Sequence, residues 1–185
     1  MERKDADKLV NEYIDTKNLI FHSYAVEAVM KDLAKEFEPD EEKLWGLTGL
    51  LHDLDYDKLN GNFVHGKKTV EILKEKSLGT EKMYKAILAH NWEKTGYKPK
   101  TAIEKSIYSA DPITGLIVAT ALVHPDSKLK NVKVSSVMKK IDDSSFSKSV
   151  NRDAIKASKN LGLELEEFVE ISLNAMKKIS DRIGL

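Results

Sequence analysis

Hydrophobic residues recur along most of the chain at spacings of three and four, the period of an amphipathic α-helix. The clearest run extends from Val26 through Leu33 to Phe37. It predicts a helix that ends at Glu38, because the proline at the next position disfavours helical backbone in the residue before it. No stretch shows the convincing alternation of apolar and polar residues that is typical of a half-buried strand. We therefore expect an all-α protein.

Capping and turn residues divide the rest of the chain into further helices. Asp40 is the expected N-cap of a helix that ends near His52 and Asp53, and Asn60-Gly61 predicts a turn after it. The remaining helices are expected at 66–76, 81–90, 101–123, 134–142, 151–160 and 164–182, with a loop at 91–100.

The helix expected at 101–123 carries two local signals. Thr101 and Glu104 have the spacing of a capping box, in which each side chain accepts a hydrogen bond from the backbone N–H of the other residue. Pro112 lies inside the same pattern, and a proline there removes one helical hydrogen bond and clashes with the preceding turn. We therefore expect the helix to be kinked or interrupted next to Asp111.

The length of 185 residues is that of about one domain, since domains contain roughly 100–200 residues. Residues 135–149 are rich in serine and lysine and are interpreted as a mobile connection. The 36 residues that follow them could hardly fold alone. We therefore expect one helical bundle, residues 1–125, with residues 126–185 as a helical extension packed on it.

The charge balance and the absence of cysteine exclude several classes of function. The chain has 30 basic and 30 acidic residues, so its net charge gives no general attraction to nucleic acid or to a membrane surface. Without cysteine it has no disulfide, thiolate metal site or cysteine nucleophile. The charged N-terminus lacks the apolar run of a signal peptide, and the longest apolar stretch, 113–123, is shorter than the about 20 residues that span a bilayer. We expect a soluble, cytoplasmic protein without a nucleic-acid or membrane partner.

The candidate chemical groups are histidines and aspartates at the ends of predicted helices. They are His22, His52, Asp53, His65, His90 and Asp111. Imidazole and carboxylate ligands without thiolate favour a hydrolytic divalent-metal site or an iron site. Consecutive helical side chains point about 100° apart, so the adjacent His52 and Asp53 can face one ion only where a helix ends and the backbone turns.

Three segments carry a family resemblance. They contain His22, then His52-Asp53 within GLLHDLDYDK, then Asp111 within YSADP, and they cover residues 20–125. In this order they resemble the pattern H…HD…D of the HD-domain metal-dependent phosphohydrolases. The segment HGKKTVEIL, which begins at His65, and the segment ILAH, which ends at His90, resemble those of HD proteins that bind two metals. From His65 to Asp111 the pattern is similar to that of the bacterial HD-type symmetrical dinucleoside tetraphosphatases.

The resemblance implies a centre for divalent ions. The first ion would be held by His22, His52, Asp53 and Asp111. The second would be held by His65 and His90, with Asp53 as the bridge. Asn91 stands where some two-metal families have a second histidine, so the resemblance leaves open one or two ions of Fe, Mn, Co, Zn, Ni or Mg.

The implied reaction is hydrolysis of a phosphate ester or anhydride in a nucleotide or a related small phosphorylated metabolite. Asp53 and His52 would be the catalytic residues, with Asp53 orienting the attacking water. The lysines expected to bind the substrate, from their proximity in sequence alone, are Lys58, Lys67, Lys68 and Lys94. Asp55 and Asp57 are expected to lie in solvent, with support of a metal ligand or an acid–base role as the alternative.

Two other functions fit the same residues. One is a non-catalytic domain that binds a nucleotide or a metal and signals through the C-terminal helices. Loss of a ligand of the first ion would have favoured it, and none is lost. The other is an iron-dependent oxygenase, a chemistry of some two-metal HD-like proteins. A homo-oligomer is also left open, because the last helix could pack on its own domain or on a second copy of the chain.

Overall fold

The computed structural model describes residues 1–58 and 64–185. In this part of the chain the regular secondary structure is helical, without a β-strand, so the expected all-α fold is confirmed. The α-helices are α1 (Arg3–Tyr13), α2 (Lys17–Phe37), α3 (Glu42–Leu51), α4 (Lys67–Glu75), α5 (Glu81–His90), α6 (Trp92–Thr95), α7 (Ala102–Leu122), α8 (Val134–Asp142), α9 (Arg152–Lys156) and α10 (Leu165–Lys177). Among the described residues, no helix combines the length and the hydropathy that a bilayer crossing requires.

Helices α2 and α7 form the centre of the bundle, and α3 packs along α2. Val26 and Met30 of α2 are fully buried in the same apolar cluster as Ile113 of α7. Gly49 allows α3 to approach α2 closely, since a Cβ atom at this position would lie 2.8 Å from the carbonyl oxygen of Val26. This contact holds the C-terminal end of α3 against the middle of the bundle.

Helix α7 runs without interruption from Ala102 to Leu122, with Pro112 inside it. Of the two expectations next to Asp111, the interruption is therefore wrong and the kink stays a prediction. Fully buried apolar residues on both sides of the proline, including Ile107 and Leu116, hold the two halves in the bundle. Their packing outweighs the loss of one backbone hydrogen bond. The predicted capping box at the start of α7 is confirmed.

The C-terminal helix α10 packs against α2 and α7, and α8 packs against α7 and α10. Val137 of α8 and Phe168 and Met176 of α10 are buried in the same apolar cluster as the central helices. Apolar packing is thus continuous across residue 125. The division into a bundle of residues 1–125 and an extension of residues 126–185 stays a prediction.

Several helix boundaries differ from the expected ones. The sequence pattern does not predict α1, whose buried residues are spaced among charged ones, and α6 occupies part of the expected loop at 91–100. The expected N-cap Asp40 lies instead in a 3-10 turn before α3. The helices expected at 151–160 and 164–182 end as α-helices at Lys156 and Lys177 and are followed by 3-10 turns. The turn predicted at Asn60-Gly61 lies outside the described residues.

Residues 135–149, interpreted from sequence as a mobile connection, are ordered by α8 and by the side chain of Arg152. The Arg152 guanidinium donates hydrogen bonds to the carbonyl oxygens of Ile141 and Asp143 at 3.1 and 2.8 Å. It also donates to those of Lys140 and Phe146. One arginine therefore binds the C-terminal carbonyls of α8 and the loop that follows it.

Candidate metal centre

Five parts of the chain bring the candidate ligands together beside one open cavity of about 520 Å³. His22 projects from the second turn of α2 and Asp111 from the middle of α7. Neither position is the expected helix end, because α2 already begins at Lys17 and α7 continues through Pro112. The other ligands come from the end of α3 (His52 and Asp53), the segment before α4 (His65) and the last residue of α5 (His90).

The adjacent pair lies where the sequence predicts it, just after the last turn of α3. His52 is fully buried and Asp53 nearly so, and the His52 Nε2 atom lies 3.1 Å from Asp53 Oδ1. Neither atom has a hydrogen-bond partner among the described residues. A buried polar atom without a hydrogen-bond partner costs free energy of folding. A metal ion bound by both of these atoms would remove that cost.

His22 and Asp111 lie on one side of this pair. The His22 Nε2 atom is 3.0 Å from Asp111 Oδ1 and 3.7 Å from Asp53 Oδ2. The His52 Nε2 atom is 3.9 Å from the same Asp111 oxygen. Ligand atoms of His22, His52 and Asp111 all lie within 4.8 Å of one another, which is a spacing compatible with a shared metal ion.

His65 and His90 lie on the other side. Their Nε2 atoms are 3.0 Å apart and lie 2.9 and 3.6 Å, respectively, from Asp53 Oδ1. His52, Asp53 and His90 form a second group of ligand atoms within 4.8 Å. Asp53 Oδ1 thus faces His52, His65 and His90, and Oδ2 faces His22, so the carboxylate lies between the two groups of ligand atoms.

The second ring nitrogen of each histidine shows which tautomer is present. The Nδ1 atom of His52 lies 2.8 Å from the carbonyl oxygen of Gly49, and that of His90 faces the carbonyl oxygen of Ile87. A carbonyl oxygen only accepts, so both Nδ1 atoms carry the hydrogen. Both Nε2 atoms then present a lone pair to the cluster, as metal ligands must.

Side chains fix the tautomers of the other two histidines. The Thr114 hydroxyl donates to the carbonyl oxygen of Asp111 at 2.8 Å, so it can only accept from His22 Nδ1, 3.1 Å away. His65 Nδ1 donates to Asp55 Oδ1 at 2.6 Å. Sequence reasoning assigned no role to Thr114, although it lies three residues after Asp111 and therefore on the same face of α7.

Asp55 is buried, 3% exposed, which corrects the expectation that it lies in solvent. Its Oδ2 atom accepts hydrogen bonds from the backbone amides of Gly66 and Thr69 at 2.8 and 3.1 Å. Its Oδ1 atom binds His65. The residues that bury it follow it in sequence and fold back over it, which the local pattern does not reveal. Asp57 instead accepts from the backbone amides of Asp15 and Thr16.

Gly66 and Asn91 hold the segment that carries His65. Gly66 has φ +88°, which favours glycine, and a Cβ atom there would lie 3.1 Å from Cε1 of His90. The Asn91 side-chain amide donates to the carbonyl oxygen of His65 at 3.1 Å. Asn91 thus supports the backbone of a candidate ligand, in the place where some two-metal families have a histidine.

The carboxylates and imidazoles of the cluster shift one another's pKa values. Burial disfavours charge on Asp53, but His52 and the neighbouring histidines outweigh it and hold the Asp53 pKa well below its usual range. Burial lowers the pKa of His65, but the carboxylates of Asp53 and Asp55, 2.9 and 2.6 Å from its two ring nitrogens, outweigh it and raise the pKa to about 10. Burial lowers the pKa of His90 to about 4. A proton and a metal ion therefore compete for the same nitrogen of His65.

The four lysines expected to bind substrate do not line this cavity. Lys58 donates to the carbonyl oxygen of Glu12 at 3.0 Å, and Lys68 to a carboxylate oxygen of Glu71 at 3.0 Å. Lys67 and Lys94 are exposed. Their contact with a substrate stays a prediction. The described residues lining the cavity, which include Tyr56, Glu93 and the stretch 149–151, contain no lysine or arginine.

Comparison with known families agrees with this geometry. The family described as the HD domain matches residues 19–121, which is more than half of the chain. Comparisons with curated proteins and with solved structures gave no match. The match spans the helices that carry all six candidate ligands, from α2 to α7. The chain therefore belongs to the HD domain family, within the superfamily of metal-dependent phosphohydrolases.

Proposed function

We propose that this protein hydrolyses a phosphate ester or anhydride of a nucleotide or a related small phosphorylated metabolite, with divalent metal ions as cofactor. One observation carries the proposal. Four imidazole Nε2 atoms and the Asp53 and Asp111 carboxylates converge beside an open cavity, and the buried His52 Nε2 and Asp53 Oδ1 atoms make no hydrogen bond among the described residues. Such a donor set without an ion would be costly to bury.

We assign two ions to the centre. His22, His52 and Asp111 surround one position, His65 and His90 the other, and Asp53 has an oxygen on each side. Four imidazoles favour Mn, Fe, Co, Ni or Zn over Mg, which prefers oxygen ligands and keeps several waters.

When bound, such ions lower the pKa of a coordinated water from 15.7 to about 7 and stabilise the attacking and leaving oxygens of a phosphoryl group. The chain's own residues hold the ligands in position. Asp55 and Thr114 fix the tautomers of His65 and His22, and two backbone carbonyls fix those of His52 and His90. Asp53 lines the cavity, where its carboxylate can orient an attacking water.

The cavity lining explains why metal would be needed for substrate binding as well as for hydrolysis. No lysine or arginine lies among its described lining residues, so side-chain cations do not neutralise a phosphate there. The metal ions would supply the positive charge. Removal of metal with a chelator should therefore abolish binding of inorganic phosphate, measured by calorimetry, and not only turnover.

The test combines metal analysis with a phosphate-release screen. The substrates are nucleoside mono-, di- and triphosphates, cyclic nucleotides and dinucleoside polyphosphates, the last because of the resemblance to dinucleoside tetraphosphatases. His52→Ala and Asp53→Ala serve as blanks, and His124→Ala is the matched control, since His124 binds Asp126 outside the cluster. We expect metal-dependent release that is lost in both blanks and kept in the control. Metal binding without hydrolysis of any substrate would favour the non-catalytic binding domain instead.

A further inference from the structure

A second cavity of about 340 Å³ adjoins the metal cavity, and His22 and Gly115 line both. Its other walls are largely apolar. They come from α2 (Phe21, with Asn18 as a polar neighbour), from the last turns of α7 (Val118 and Leu122) and from residues 183–185. We call it the apolar cleft. The two cavities therefore meet at the side of the cluster that carries His22 and Asp111.

Gly115 stands at the point where the two cavities meet. It lies in the middle of α7, four residues after Asp111, and therefore on the same face of the helix. A Cβ atom at this position would meet no other atom within 4 Å. Glycine destabilises a helix relative to alanine, and at Gly49 the close approach of α2 explains it. At Gly115 packing does not require glycine. The absence of a side chain leaves open space between the two cavities.

The two cavities offer different chemistry to a ligand. The metal cavity presents histidines and carboxylates, whereas the apolar cleft presents an aromatic ring and aliphatic side chains. Leu122 lines the cleft although 59% of its surface is exposed. An exposed apolar wall beside a polar centre is typical of a site that binds a molecule with one charged end and one apolar end.

We infer that the apolar cleft binds the organic group of the substrate while its phosphate lies at the metal centre. Because Gly115 has no side chain, the substrate can extend from one cavity into the other. The inference rests on the proposed function and narrows its substrate class. It selects phosphate esters whose organic group carries an apolar or aromatic ring, such as a nucleoside, over small polar phosphates. Gly115 is then a specificity-determining residue.

Binding measurements test the inference without relying on turnover. The protein loaded with Mn²⁺ is titrated with inorganic phosphate and with a nucleoside 5′-monophosphate in a calorimeter. Burial of a ring in the cleft should make the nucleotide bind at least about tenfold more tightly than phosphate. In Gly115→Ala the ratio of the nucleotide affinity to the phosphate affinity should fall. In Gly115→Leu this ratio should approach one, because the larger side chain fills the space between the two cavities.

Stability and a matched pair of surface variants serve as controls. Both Gly115 variants should melt at or above the temperature of the wild type, because alanine and leucine favour the helix. Leu122→Ser should lower the nucleotide-to-phosphate ratio. Val123→Ser should leave it unchanged, because Val123 is as exposed as its neighbour, at 61%, but does not line the cleft.

The outcomes separate this inference from the proposed function. If phosphate binds the metal-loaded protein but the ratio is the same in wild type and Gly115→Leu, the inference is overturned and the function stands. If neither ligand binds the metal-loaded protein, both fail. If sedimentation shows a dimer that Leu122→Ser dissociates, a second copy of the chain occupies the cleft, and the inference is also overturned.

Discussion

Each histidine of the metal centre donates its Nδ1 hydrogen to an acceptor outside the cluster. His52 and His90 use backbone carbonyl oxygens, which no substitution removes. His65 uses the carboxylate of Asp55 and His22 the hydroxyl of Thr114, so these two interactions can be tested by mutation. A carboxylate behind a metal-binding histidine orients the ring and raises its basicity.

Asp55→Asn should weaken metal binding by about 10–100-fold, the usual cost of losing such a partner. An asparagine can still accept from His65, but its amide group would then face the backbone amides of Gly66 and Thr69, which need an acceptor. The dissociation constant for Mn²⁺, measured by calorimetry, checks this expectation.

Asp57→Asn is the control for that experiment. Asp57 is a carboxylate two residues away that binds the backbone amides of Asp15 and Thr16 and does not line the metal cavity. Its variant should keep the wild-type metal affinity. Equal affinities in Asp55→Asn and Asp57→Asn would show that Asp55 does not support the metal centre.

At the scale of one residue, the sequence predicts the candidate metal ligands better than it predicts the residues that hydrogen-bond to those ligands. The position of His52-Asp53 follows from a geometric rule, because adjacent side chains meet only where a helix ends. The burial of Asp55 follows from no local rule, since it depends on Gly66 and Thr69 folding back over the carboxylate. Supporting residues of this kind are defined by tertiary contacts and not by spacing.

At the scale of elements, apolar periodicity predicts most helices, and packing decides where they end. The helix expected at 81–90 forms over those residues as α5. Pro112 does not interrupt α7, because buried residues on both sides of it hold the helix in place. At Arg152, too, tertiary contacts override a local signal. Its hydrogen bonds hold a serine-rich stretch whose composition indicates mobility.

Arg152→Gln should lower the free energy of unfolding by about 2–4 kcal/mol, because several buried or half-buried carbonyl oxygens lose a charged donor at once. These oxygens belong to the end of α8 and to the following loop, and positive charge is favourable at a helix C-terminus. Urea unfolding at neutral pH measures the change.

Lys156 is exposed and lies in α9, the helix that contains Arg152, so it provides the control for this experiment. Lys156→Gln removes the same charge without removing hydrogen bonds to this loop, so the change should stay within about 0.5 kcal/mol. If the two variants unfold alike, the hydrogen bonds of Arg152 do not stabilise the segment.

At the scale of the whole molecule, a buried carboxylate joins the N-terminal helix to the bundle. Glu27 of α2 accepts hydrogen bonds from Arg3 of α1 at 2.9 Å and from Lys31 at 2.6 Å. Burial raises the pKa of Glu27, but these two partners outweigh it and hold the pKa below the ordinary value of 4.5. The sequence pattern predicts neither α1 nor this link, because Arg3 is far from Glu27 in sequence and meets it only when α1 packs against α2.

The sign of the resulting pH dependence follows from the lowered pKa. A carboxyl group that is more acidic in the folded state stabilises the protein above its unfolded pKa, and this contribution is lost as pH falls towards the folded value. Glu27→Gln should therefore lower the free energy of unfolding by about 1–3 kcal/mol at neutral pH. The difference from the wild type should shrink as the pH is lowered below about 4.5.

Urea unfolding of wild type, Glu27→Gln and Glu36→Gln over this pH range tests the link. Glu36 is exposed on the same helix, so its variant should follow the wild type at every pH. A difference between wild type and Glu27→Gln that stays constant from neutral to acid pH would contradict the expected loss of the Glu27 contribution.

The most direct measurement is the number of metal ions per chain after reconstitution with Mn²⁺ and removal of excess ion, determined by elemental analysis. We predict two ions in the wild type, one in His65→Ala, and none in Asp53→Ala, whose carboxylate faces both sides of the cluster. Circular dichroism confirms that each variant keeps its helices. A folded wild type that retains no metal, or an Asp53→Ala variant that retains as much as the wild type, would contradict the proposed centre.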